Sequence, residues 1–270
     1  MNPSEENEQA ILHTPEDIRI FREITDMPVR GGGCDFSSGA GIAAAGLAFL
    51  GRPYGAHTLE GEGPERLVIN LRELDCFTLV ENVVVLERLF RTGATGFPDY
   101  AATLRRLRYR NGILDGFASR LHYFSDWLSD AGAKGFLRDV TADLGGQWLV
   151  KSISYMTDHP ERYPALEDEE TFRRLREIEG RLSARPLVFL PREKLRRVED
   201  RFQDGDILAI TTDRGGMDVV HAGIALRLRR RVHFLHASSL AGKVLISPET
   251  LYGYLMKKKG RTGVIVARVV

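Results

Sequence analysis

The spacing of apolar residues changes character once along this 270-residue chain. Up to about residue 183 most apolar positions recur with helical period, and beyond Arg185 they gather into short runs bounded by turn residues. After a polar tail over residues 1–14, Pro15-Glu-Asp opens a short helix carrying Ile18, Ile20, Phe21 and Ile24. A glycine-rich loop at 31–39 leads into an Ala- and Gly-rich helix over 39–50, and a short strand is expected at 66–70. From Asp75 to Arg91 the pattern predicts a helix that is apolar on nearly every side, which places it inside the protein. Further helices are predicted near 98–108, 117–130, 147–158 and 167–182. Strands are predicted at 187–190, 207–212, 218–226, 232–237, 244–246 and 263–269, with one helix at about 250–258. Helices first and strands after, without βαβ alternation, predict an α+β fold built on an antiparallel sheet. No repeat or Pro/Ser-rich linker divides the chain, so residues 15–270 are expected to form one domain.

Composition narrows the function classes. Thirty-eight Lys+Arg against 37 Asp+Glu give a formal net charge of +1, which supplies no electrostatic footprint for nucleic acid or an anionic membrane. The longest apolar stretch, Gly39 to Leu50, is well short of the roughly 20 residues that span a bilayer, so no membrane span is expected. The acidic, polar start of the chain shows no signal-peptide pattern. Two cysteines, Cys34 and Cys76, exclude a disulfide-stapled fold.

The two thiols are unequal. Asp75 is a favoured N-cap residue, which puts Cys76 in the first turn of the buried helix. Backbone N–H groups at that positive helix end are expected to lower the thiol pKa and are available to hold an oxyanion. Free cysteine is also among the most buried residue types, so a purely structural Cys76 is the alternative. Two histidines bear on the choice. His221 falls in Asp218-Val-Val-His-Ala-Gly-Ile224 and His236 in Val232-His-Phe-Leu-His-Ala237, on consecutive predicted strands. A hairpin turning at Leu228-Arg229 sets the two directly opposite on one sheet face, where His236 can orient His221. Nucleophile, base and orienting group are the parts of an activated-cysteine site. Zinc ligation by the same three residues is a further alternative, although no Cys-x-x-Cys or His-x-x-x-His pair supports it.

Several segments resemble one family. Asn70-Leu-Arg-Glu-Leu-Asp-Cys-Phe-Thr-Leu-Val-Glu81, Val220-His-Ala-Gly-Ile224 and Leu235-His-Ala-Ser-Ser239 look like motifs of the NlpC-type cell-wall cysteine hydrolases. Phe49-Leu-Gly-Arg-Pro-Tyr54, His57-Thr-Leu-Glu60 and Ser119-Arg-Leu-His-Tyr-Phe-Ser-Asp-Trp127 are similar to motifs of the branch described as N-acetylmuramoyl-L-alanine amidase-like. The resemblance implies a papain-like core, with the cysteine helix packed on an antiparallel sheet and a helical insertion at about 95–184 folded over the cleft. It implies Cys76 as nucleophile, His221 as general base and His236 as orienting residue, with no metal or organic cofactor. Asp75, Arg120, His122, Tyr123 and Trp127 are the candidate substrate-binding residues; at helical spacing 120, 123 and 127 share a face. The implied partners are peptidoglycan fragments, and the implied location is the cell envelope, periplasmic or secreted. The implied reaction is hydrolysis of the N-acetylmuramoyl-L-alanine amide through a Cys thioester. A γ-D-glutamyl-diamino acid endopeptidase and a non-catalytic module that captures wall fragments are the alternatives.

Overall fold

The computed structural model describes residues 11–26, 39–61 and 63–270. Cys34 and the glycine-rich loop around it lie outside the described residues. Among the described residues ten strands occur: β1 Ile11–Leu12, β2 Leu67–Val68, β3 Leu137–Asp139, β4 Gln147–Leu149, β5 Leu187–Pro191, β6 Ile207–Thr212, β7 Val219–Leu228, β8 Arg231–Ser238, β9 Lys243–Thr250 and β10 Arg261–Val269. The helices of six residues or more are α1 Pro15–Thr25, α2 Ala40–Leu47, α3 Cys76–Thr92, α4 Phe97–Arg108, α5 Phe124–Ala133, α6 Glu169–Ser183 and α7 Leu251–Met256. β4-β5-β10-β6-β7-β8-β9 form one antiparallel sheet, with β3 also paired to β10.

This sheet is covered on both faces. Ala209, Ala222, Ile224, Leu226, Leu235 and Ala237 turn to the side packed by α2 and α3. Leu208, Ile210, Ala225, Val232 and Phe234 turn to the other side, where Leu251 and Leu255 of α7 cover them. Alternation along β7 and β8 therefore separates two apolar layers instead of a core from solvent. Close packing of α2 depends on its small residues: a Cβ at Gly46 would come within 2.9 Å of Ile224 Cδ1. α3 ends at Gly93, whose left-handed φ of 71° lets its N–H reach back to the carbonyls of Leu89 and Phe90.

Three sequence expectations are corrected here. The interval 95–184 is not wholly helical, because β3 and β4 lie within it and join the main sheet. The predicted 147–158 helix is a strand followed by the single turn Tyr155–Asp158. The end of the expected tail is ordered: Ile11 and Leu12 pair in parallel with Leu67 and Val68.

Candidate active site

The start of α3 is built by a reciprocal cap. The Asp75 carboxylate accepts the N–H groups of Phe77 and Thr78 at 2.9 and 2.7 Å, while the Asp75 N–H donates to Thr78 Oγ1 at 2.9 Å. Oδ1 of Asp75, expected from sequence to contact substrate, is thus engaged in capping the helix. Cys76 follows as the first helical residue, half-buried and unpaired. The backbone N–H of Ala222, the residue directly after His221, favours the ionised form of the thiol. The thiol pKa is pushed up to about 12, by burial and then by the Asp75 charge, against the N–H groups of Ala222, Cys76 and Phe77. This overturns the expected depression: helix-end polarity is present, but desolvation and the cap's own carboxylate outweigh it.

His221 and His236 are hydrogen-bonded to each other, Nε2 to Nδ1, at 2.7 Å. Their placement corrects the register but keeps the pairing. Leu228 pairs with Arg231 and Ile224 with Leu235, so the hairpin turns at Arg229–Arg230 and the register is shifted by two. A shift of two preserves the face, and the rings meet as diagonal neighbours. Both turn residues adopt positive φ, 48° and 67°, where glycine or asparagine is the usual signal, so the sequence does not mark this turn. Burial, with the neighbouring His236 and then Arg261, lowers His221 to about 3; burial and Arg261 lower His236 to about 4. Both rings are neutral at neutral pH. Tyr254 of α7 stacks on His221 with centroids 6.2 Å apart.

Two tyrosines border the thiol that sequence reasoning did not single out. Burial and then the Cys76 and Asp75 charges raise the hydroxyl of Tyr54, whereas in Tyr254 burial is opposed by Arg261 and joined by Cys76. Both stay protonated donors. Tyr54 stands in a motif-like stretch, but nothing in its spacing linked it to Cys76; the link is the backbone bridge between Tyr54 and Leu74.

The expected binding wall is largely structural. Arg120 and Tyr123 have extended backbone and α5 starts only at Phe124, so the shared helical face of 120, 123 and 127 does not exist. Asp218, from the strand side of the molecule, fixes that start by accepting the N–H of Ser125 at 2.7 Å. Trp127 has 0 % exposure and packs edge-on against Phe77, with ring centroids 5.3 Å apart. Tyr123 is buried and donates to Glu179 at 2.6 Å. His122 hydrogen-bonds the Phe117 carbonyl at 2.9 Å, and burial, then Arg120, lowers it to about 3. Arg120 lies over the Phe117 ring and 3.3 Å from Glu65, and it borders a pocket with Glu60 and Tyr163. Of these four, only Arg120 borders a described pocket. Trp127→Ala is expected to cost about 3–5 kcal/mol of stability, as large aromatic-to-alanine changes in cores do, measured by urea denaturation. A variant of wild-type stability with raised KM would return Trp127 to the substrate wall.

Among the described residues no three His, Cys, Asp or Glu side chains are gathered as a metal-ligand set, and no helix is long and apolar enough to cross a membrane. The family model described as N-acetylmuramoyl-L-alanine amidase-like, AmiA-like, matches residues 44–264. An N-acetylmuramoyl-L-alanine amidase from Bacteroides uniformis is similar in structure, with a TM-score of 0.81 and 39% identity, over 85% of this chain and 98% of that one. A Bacteroides fragilis protein, whose given name assigns it provisionally to the xylanases, has a TM-score of 0.80 and 40% identity over 84% of this chain and 100% of its own. A Legionella pneumophila protein with 18% identity shares the fold at a TM-score of 0.69, over 100% of this chain and 97% of its own. No curated protein matches the chain.

Proposed function

The chain belongs to the AmiA-like, N-acetylmuramoyl-L-alanine amidase-like family and is a hydrolase, and from that premise we propose a cysteine amidase that cuts the N-acetylmuramoyl-L-alanine bond through a thioester on Cys76. The observation that carries this reading is the packing of α3, which begins at Cys76, on β7 and β8, the strands that carry the hydrogen-bonded pair His221 and His236. The packing of α3 on an antiparallel sheet supports a papain-like core of the NlpC type. Peptidoglycan fragments are the substrates, and the cell envelope, periplasm or exterior is where they are met.

In the reactive state His221 holds its proton on Nε2 and donates it to Nδ1 of His236, which leaves the Nδ1 lone pair of His221 as the base. A neutral imidazole as third residue orients the base, but it lacks the charge with which a carboxylate would favour an imidazolium. The resting pair is therefore neutral thiol and neutral imidazole. Proton transfer from Sγ to His221 accompanies attack of Sγ on the amide carbonyl carbon. The oxyanion is held by the Cys76 N–H, since the Phe77 and Thr78 N–H groups are spent on Asp75, and by the Tyr54 hydroxyl. Collapse breaks the C–N bond, and the proton on His221 leaves with the amine. Water, deprotonated by His221, then cleaves the thioester, releasing the lactyl carboxylic acid and restoring the thiol.

Glycoside cleavage, suggested by one neighbour's name, would need two carboxyl groups flanking the bond. The cleft at the histidine pair is lined by one, Glu249, which is already paired with Lys257. Mass spectrometry of digested muropeptides tests the reading: glycans ending in a free lactyl carboxylate and peptides with a free L-Ala amine are expected, and peptides cut only between D-Glu and the diamino acid would contradict it.

The pH profile follows from the neutral pair. His221 charges only near pH 3 and the thiol ionises only near pH 12, so kcat/KM is expected to stay flat from mildly acidic to mildly alkaline pH. The acid limb falls as His221 gains its proton, well below the ordinary value of 6.5. An acid limb centred near 6.5 would show that the imidazole titrates freely and would remove the neutral-pair account.

A further inference from the structure

On the amidase reading the amine departs with the proton that His221 carried, so whatever that amine bears must lie beside His221. His221 lines a cleft of about 800 Å³ together with His236, Tyr254, Lys257, Lys258 and Arg261. The charge of this cleft is one-sided. Three cations face one carboxylate, Glu249, and Glu249 is ion-paired with Lys257. Among the described residues, no carboxylate is in ion-pair contact with Lys258 or Arg261.

Arg261 is also held in place. Its guanidinium lies 3.8 Å from the Tyr254 ring centroid and donates to the Tyr254 carbonyl, and the same Tyr254 ring stacks on His221. A fixed cation is thereby joined, through one aromatic ring, to the base that must release the leaving amine. Both cations are near enough to His221 to disfavour its charged form. From sequence, Lys257-Lys-Lys259 reads as cations near a helix C-terminus, but α7 ends at Met256 and the folded chain turns Lys257 and Lys258 toward the histidine cleft.

We propose that this cleft is the leaving-group subsite and that Lys258 and Arg261 bind a carboxylate of the departing peptide, so that the enzyme selects amides whose amine portion is anionic.

Matched substrates test this: N-acetylmuramoyl-L-alanyl-D-glutamate and its analogue with both glutamate carboxyls amidated. The wild-type enzyme is expected to favour the anionic substrate by about tenfold in kcat/KM, mainly through KM, as two partly exposed ion pairs would give. Lys258→Gln with Arg261→Gln is expected to reduce that preference to about twofold or less, with folding checked by thermal unfolding. No preference in the wild-type enzyme, or a preference that survives the double substitution, overturns the assignment. Calorimetry of L-alanyl-D-glutamate binding to Cys76→Ser separates this from the amidase reading. Binding that weakens with either carboxyl amidation or the double substitution supports the subsite even if no muramoyl amide is cut. Muramoyl amides cut without regard to charge leave the amidase reading standing and remove the subsite.

Discussion

Cys76→Ala is expected to lower kcat/KM by a factor on the order of 10⁴ or more, because the covalent step has no substitute nucleophile at the start of α3. His221→Ala is expected to cost on the order of 10²–10⁴, the usual worth of a positioned general acid–base group. The two residues act as one unit, so the double variant should be little worse than the Cys76 variant alone. His236→Phe keeps a ring against Phe234 and Tyr254 but removes the Nδ1 acceptor; about a tenfold to hundredfold loss is expected, appearing in kcat. Steady-state kinetics on a muramoyl peptide checks all four variants. Full turnover by either Cys76→Ser or His221→Ala would remove the assignment whatever the substrate.

Arg108→Met is expected to destabilise the protein by about 3–5 kcal/mol, the cost of leaving one member of a buried ion pair without its partner. Glu81 lies on α3 below Cys76, and its carboxylate takes Arg108 at 2.8 and 2.9 Å with both side chains almost fully buried. Arg108 also donates to the Val68 carbonyl at 2.5 Å, which ties α3, α4 and β2 together behind the nucleophile. Burial raises the Glu81 pKa and Arg108 opposes the rise. Removing the arginine therefore raises the folded-state value further above the unfolded one. An acid raised in this way is destabilising above its folded pKa, and the penalty is relieved as pH falls through that value. The stability deficit of Arg108→Met should accordingly shrink toward acidic pH in urea titrations. Glu81→Leu combined with Arg108→Met should recover much of the loss, as apolar replacement of buried pairs often does. A deficit independent of pH would mean that the lost Val68 contact, not the stranded carboxylate, is responsible.

The parts of the structure that were legible in sequence are those set by local chemistry. Asp75 as N-cap, Cys76 as the first helical residue and the burial of α3 follow from capping preference and an apolar pattern with no polar face. The strands beyond residue 185 follow from short β-rich runs, and the shared face of His221 and His236 survives the register error because side chains alternate with period two. The failures have non-local causes. The apolar pattern places residues 120–123 in a helix that begins only at Phe124, where a carboxylate 93 residues away accepts the Ser125 N–H. Trp148 is 73 % exposed on the edge strand β4, so that short strand carries no buried stripe to mark it. Trp127, Tyr123 and Arg120 show that an aromatic and cationic pattern does not distinguish a substrate wall from packing; tertiary partners decide. For the thiol pKa, helix polarity is visible in sequence, whereas the desolvation that raises it is a property of the folded surroundings.

The identity of the acyl group carried by Cys76 tests the central claim most directly. Rapid acid quench of the enzyme turning over N-acetylmuramoyl-L-alanyl-D-glutamyl-diaminopimelate, followed by mass analysis of its peptides, reads that group. The account predicts an N-acetylmuramoyl thioester, with no amino acid attached, on the peptide containing Cys76 and absent from Cys76→Ser. A thioester carrying muramoyl-L-alanyl-D-glutamate would move the scissile bond to the γ-glutamyl position, and turnover with no Cys76 adduct under any quench time would contradict nucleophilic catalysis by this thiol.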